Sequence, residues 1–139
     1  MKVVDATNLI AGRMASFVVK ELLKGEQIAI INAEKAVFTG NKTMVFARYK
    51  QRVDRGEPTH GPHFPKMPHM ILKRVVRGML PYKKEKGLKA MKKLKIYIGC
   101  PDELKNQKAV TYERADANKI KVPKSVTIEE ISKWLGAKW

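Results

Sequence analysis

Three histidines, His60, His63 and His69, lie close together in the chain, with Asp54 and Glu57 just ahead of them. Imidazole and carboxylate groups gathered in this way could hold a divalent metal and activate water against a phosphodiester, the chemistry of a nuclease. The spacing matches no helical pair of ligands, however, and Pro62, Pro65 and Pro68 restrict how the rings converge. Cys100, the only cysteine, adds no ligand nearby and has no partner for an internal disulfide. A metal-dependent nuclease using His60, His63 and His69 is therefore kept as an alternative. The favoured reading has no metal, no cofactor and no catalytic residue, and the rings hydrogen-bond or stack on RNA, or simply pack. Gly40, Asn41, Lys42 and Thr43 have the flavour of a phosphate-binding loop. That loop requires glycine at 35 and lysine at 41, where Lys35 and Asn41 stand, so a helix start is the better reading. Ser16, Ser125 and Ser132 have ordinary helix or cap explanations, and no nucleophile stands with a base and an acid.

Arginine and lysine offer a different chemistry. The chain has a formal charge of +16, and residues 42 to 95 hold sixteen of its twenty-nine Lys/Arg but three of its thirteen Asp/Glu. Between residues 73 and 95, ten basic side chains face a single acid, Glu85. A merely solvated helix mixes signs so that neighbouring turns pair, and here the acids are missing. Charge concentrated in this way points to a polyanion-binding face, with nucleic acid the default partner. The candidate RNA-binding residues are Arg48, Arg52 and Arg55; His60, His63 and Lys66; Lys73, Arg74 and Arg77; and Lys83, Lys84, Lys86, Lys89 and Lys93. Tyr82, beside Lys83 and Lys84, could add stacking on a base.

These side chains need elements to carry them. Lys2–Ala6 reads as a strand around Val3 and Val4, and Ile10–Lys24 as a helix with Met14, Val18 and Leu22 on one side and Gly25 as its stop. Gln27–Asn32, with Ile28 to Ile31 uninterrupted, reads as a strand covered on both faces and parallel to the first. A short strand at Ala36–Thr39 leads through Gly40 into a helix to about Val53, packed by Val45, Tyr49 and Val53 and basic on its other side. The segment from Asp54 to Pro68 holds four prolines and reads as a functional loop whose order comes from RNA or from the domain it crosses. Pro68 opens a helix that buries Ile71, Leu72, Val75, Val76 and Met79 and stops at Gly78 and Pro81. A second basic helix, about Lys84–Leu94, turns Leu88, Met91 and Leu94 inward. Ile96, Tyr97 and Ile98 form a strand, residues 102 to 125 take no clear assignment, and Thr127 with Glu130 caps a last helix whose Trp134 belongs to the core.

The 139 residues suit one domain with a core supplied by 44% hydrophobic residues. The apolar runs are far short of a membrane span of about 20 residues, and the N-terminus lacks a signal-peptide apolar region, so a cytoplasmic protein is expected.

Several separated segments together resemble the family of ribosomal proteins numbered thirteen in the large subunit. They are Val4, Asp5, Ala6 with Gly12 to Ser16; Asn32 to Lys35 with Thr39 to Lys42; and Arg74 to Pro81 with Gly87 and Ala90 downstream. The likeness covers roughly the first hundred residues, and Gly61, Pro62, His63, Phe64 with Tyr82, Lys83, Lys84 make it closest to the archaeal type. It departs at Pro65, where many relatives place arginine after the phenylalanine. The resemblance implies an α/β fold, three-layer α/β/α with a small mostly parallel sheet, plus basic loop and helical extensions. It also implies a structural constituent of the large ribosomal subunit that binds large-subunit rRNA, supports assembly and lies among neighbouring large-subunit ribosomal proteins. No membrane partner and no obligate homo-oligomer are expected. A free regulatory RNA-binding module is a further alternative.

Overall fold

A computed structural model describes residues 1–139. Strand β1 (Lys2–Asp5) leads through Leu9 and Ile10 into α1 (Ala11–Lys24), whose apolar positions recur every three or four residues and bury Met14, Ala15, Val18, Val19 and Leu22. Gly25 ends the helix at φ 102°, a left-handed conformation that costs glycine little. β2 (Ile28–Ile31) then pairs parallel to β1, with Val4 opposite Ile30, and is buried along its whole length.

The sheet is completed by β4 (Leu94–Ile96) beside β2 and by a two-residue β5 (Ala109–Val110) beside β1, in the order β4-β2-β1-β5, all parallel. The alternation of side chains divides the core. Val4, Ile28 and Ile30 join the large cluster under α1, whereas Val3, Ala29 and Ile31 face the other way onto Leu104. Leu104 sits on the single-turn α5 (Asp102–Lys105), so the second helical layer is much thinner than the first. α3 (Pro68–Met79) packs chiefly on α1, and α4 (Glu85–Lys92) also leans on α1 and on β4.

β3 (Val37–Thr39) stands outside this sheet. It pairs antiparallel with β6 (Ser125–Thr127), which passes directly into α6 (Ile128–Trp134). Thr127 accepts the Glu130 amide at 3.2 Å while the Glu130 carboxylate accepts the Thr127 amide at 3.3 Å, the reciprocal cap expected from the sequence.

Four expectations need correction. The strand expected at Ile96–Ile98 is instead Leu94–Ile96, because α4 stops at Lys92 and Leu94 pairs opposite Ile28. Leu88 is 52% exposed and Met79 44%, so neither belongs to the core. α4 touches the rest of the chain through Gly87, Ala90 and Met91, while α3 does so through Ile71, Leu72 and Val76. Trp134 is 44% exposed, since Ile128, Ile131 and Leu135 occupy the inward face of α6.

Candidate nucleic-acid interface

α2 (Lys42–Asp54) is a helix of thirteen residues that fully buries only Tyr49, with Val45, Phe46 and Val53 half-buried. Its basic flank, Arg48 and Arg52, lies one turn apart and faces α3. Pro68, at the first turn of α3, forfeits no hydrogen bond there, and the helix sets Ile71, Leu72 and Val76 into the core while Lys73 and Arg74 point outward.

Residues 55 to 67 cross between these helices. Their first part is a tight return in which Glu57 and Gly61 pair through the Gly61 amide at 2.9 Å, ahead of the cis peptide between Gly61 and Pro62. Their second part is fastened down. Phe64 meets Tyr49 edge-on at 5.7 Å between ring centroids, buried Ser132 donates to the Lys66 carbonyl at 2.7 Å, and Arg74 donates to the His63 carbonyl at 3.2 Å. The domain itself thus orders the end of the loop, one of the two sources the sequence allows.

Phe64 also organises charge. The Arg52 and Arg74 guanidinium carbons lie 5.6 and 5.7 Å from its ring centroid, and Arg52 lies 5.3 Å from that of Tyr49. A guanidinium held over a ring loses less freedom on binding an anion, and Arg74 has further N–H donors beyond the one given to the His63 carbonyl. Arg48, Arg52 and Arg74 line one cleft of about 310 Å³ whose wall and floor are Phe38, Val45, Tyr49, Phe64, Ile71 and Val75. Past Phe64 a second cleft of about 440 Å³ gathers His63, Lys66, Lys73, Arg74 and Arg77. Neither is lined by a carboxylate. Arg77 stacks 4.5 Å from the centroid of the exposed Tyr82 ring. Burial pushes the Tyr49 phenol up despite the Arg52 and Arg48 charges, and burial with the nearby Lys73 holds His69 below its usual range.

The remaining candidates are dispersed. His60 is exposed in the hairpin return, and Arg55 joins Lys50, Gln51 and Asp54 on a shallow surface at the far end of α2. Lys83, Lys84 and Lys86 stand exposed at the turn into α4. Lys89 pairs with Glu85 at 2.6 Å, and Lys93 donates to the Gly25 carbonyl at 2.9 Å, so Lys93 caps α1 as well as carrying charge. Lys89 and Lys93 line a third basic cleft with Lys92 and Lys95, two lysines that the helical reading left aside although they stand in the same basic run. Phe64 and Ser132 were also missed as organisers, since no local pattern shows that they meet α2 and the loop. His60, His63 and His69 do not converge with any acid into a metal-holding group.

Fold and surface together define a small basic α/β protein whose chemical offering is arginine and lysine held on a rigid face. The family model for Ribosomal protein L13 matches residues 1–103, and the chain belongs to that family. Similarity runs further than the model. It reaches 47% identity over 96% of the chain with the large ribosomal subunit protein uL13 of Archaeoglobus fulgidus, 86% of whose length is covered. The uL13 proteins of Methanosarcina barkeri, 46% identical, and Methanocaldococcus jannaschii, 42% identical, align over the full length of both chains. The likeness is to the archaeal type. No helix is long and apolar enough to cross a membrane.

Proposed function

We propose that this chain is a structural constituent of the large ribosomal subunit that binds rRNA mainly through phosphates and helps hold folded segments during assembly. The observation that carries this reading is the pair of adjoining clefts around Phe64, where Arg48, Arg52, Lys73, Arg74 and Arg77 converge without a carboxylate in either lining. Guanidiniums preset on aromatic rings suit phosphate oxygens, and RNA helices are recognised largely through backbone and shape. Membership of a ribosomal-protein family supports the same partner, with other large-subunit proteins as neighbours and the cytoplasmic ribosome as its place. His60, Arg55 and the lysines of the α4 turn then serve as outlying contacts, and the 139 residues act as one domain.

The test is a titration of an rRNA fragment at several salt concentrations. Arg52→Ala with Arg74→Ala should flatten the plot of log affinity against log salt by roughly 1.4 to 1.8, since each lost phosphate contact contributes about 0.7 to 0.9. A folded double variant with unchanged affinity and slope would sink the assignment of these clefts. Failure of the wild type to sediment with the large subunit would sink the ribosomal role itself.

A further inference from the structure

α2 has a second flank, turned away from the arginines. Lys42, Phe46 and Lys50 recur at four-residue spacing and therefore line up on the side that meets α6. There Phe46 stacks on Trp134 with ring centroids 4.9 Å apart and 22° between the planes. The Lys42 ammonium lies 5.4 Å from the Phe46 centroid and the Lys50 ammonium 6.0 Å from that of Trp134. With Thr43 and Ala47 these residues enclose an open cleft of about 480 Å³ with no acid in its lining. Lys42 is shared with Glu130 at 3.1 Å, whereas Lys50 has no carboxylate within 4.0 Å.

We propose that this cleft is a stacking site for an unpaired RNA base, seated on Trp134 with an adjoining phosphate on Lys50. The inference rests on the reading of the partner as RNA but concerns a different surface and a different part of the nucleotide. An indole left 44% exposed beside an unpaired ammonium supplies both halves of nucleotide recognition, a π-face and a cation. An apolar side chain from a neighbouring protein would use the rings but leave Lys50 without a partner. The shallow surface beyond, lined by Ala47, Lys50, Gln51, Asp54 and Arg55, carries a carboxylate, so the phosphate is placed on Lys50 itself rather than farther along α2. α2 itself fits this role, because a helix that fully buries only Tyr49 has two flanks left for a ligand, one lined by arginines and one by the aromatic pair.

The test uses the full chain with Trp139→Phe, which leaves Trp134 as the only indole. Short single-stranded oligoadenylate should quench its emission strongly, and an RNA duplex of equal charge should not. Trp134→Ala should weaken single-strand affinity by about 5- to 150-fold, the range that base stacking on an aromatic ring supplies. Lys50→Ala should flatten the salt dependence of single-strand binding by about 0.7, and Trp134→Phe should restore most of the affinity that Trp134→Ala loses. Arg52→Ala with Arg74→Ala should leave the quench in place. Unchanged emission with single strands, while an rRNA fragment still binds by anisotropy, overturns the stacking site and leaves the phosphate clefts standing. Absence of binding to any RNA overturns both. Burial of Trp134 in assembled subunits against a crosslinked protein rather than RNA assigns the cleft to a protein neighbour and likewise overturns the proposal.

Discussion

Gly78 is a residue whose lack of a side chain the fold itself does not require. It lies inside α3, is exposed, and a Cβ built there meets nothing within 4 Å. Glycine in a helix is disfavoured relative to alanine by about 0.5 to 1 kcal/mol, so the chain gains nothing internal from it. Gly78 does line the cleft of Arg48, Arg52 and Arg74, and on the proposed reading the absence of a side chain there would let an RNA backbone come close. Gly78→Ala should therefore raise thermal stability by about 0.5 to 1 kcal/mol while lowering affinity for an rRNA fragment. Calorimetry and a binding titration on the same sample check both halves. A gain in stability with undiminished binding would mean that no ligand backbone approaches there.

At the scale of elements, two connections fix where the basic helices point. Gly87 in α4 faces the turn before it so closely that a Cβ would stand 2.1 Å from the Pro81 carbonyl oxygen and 2.4 Å from its carbon. Both are rigid backbone atoms, so Gly87→Ala must displace α4 from the turn that carries Tyr82. A cost of about 1 to 3 kcal/mol in urea unfolding is expected, as for other overpacked sites. A melting curve like the wild type's would show that the turn yields freely. The loop between α2 and α3 divides into unlike halves. Limited proteolysis of the free protein should cut at Arg55, ahead of the exposed return, and spare Lys66, whose carbonyl is held by Ser132. Ser132→Ala leaves that carbonyl without its donor and should open the Lys66 site; rRNA should suppress cutting at both positions. Equal cutting at Lys66 in wild type and variant would remove Ser132 as the fastener.

The molecule as a whole should lose stability in acid by two separable routes. Burial pushes the Asp5 carboxyl up, but hydrogen bonds from Asn32 and Thr7 and the charge of Lys35 outweigh it and hold it below the ordinary value. Its contribution is thus present above the unfolded value near pH 4 and disappears as pH falls through the lower folded value. His69 is held low by burial and by Lys73, so the unfolded chain takes up its proton first once pH drops below about 6.5. Melting temperature should decline modestly from pH 7 to 5 and again below pH 4. His69→Gln should lessen the first decline and Asp5→Asn the second. If both variants follow the wild-type curve, self-repulsion from a net charge that is already +16 at pH 7 dominates acid unfolding instead.

By itself the sequence determined the local events, because each depends on neighbours a few positions apart. The period of α1, its stop at Gly25, the buried β2, Pro68 at the start of α3 and the Thr127–Glu130 cap could all be read from spacing. So could the family, through separated motifs in order, and the basic character of residues 42 to 95. Tertiary structure decided everything that required distant residues to meet. Short strands carry little period of their own, so β3 pairing with β6 and the start of β4 at Leu94 were settled by partners far along the chain. The exposure of Trp134, Leu88 and Met79 was settled in the same way, since an apolar residue at helical spacing is buried only if another element covers it. The clefts belong to that second class as well. Arg52 and Arg74 stand twenty-two positions apart in the sequence, and only the loop that lays Phe64 between them makes one site of their charges.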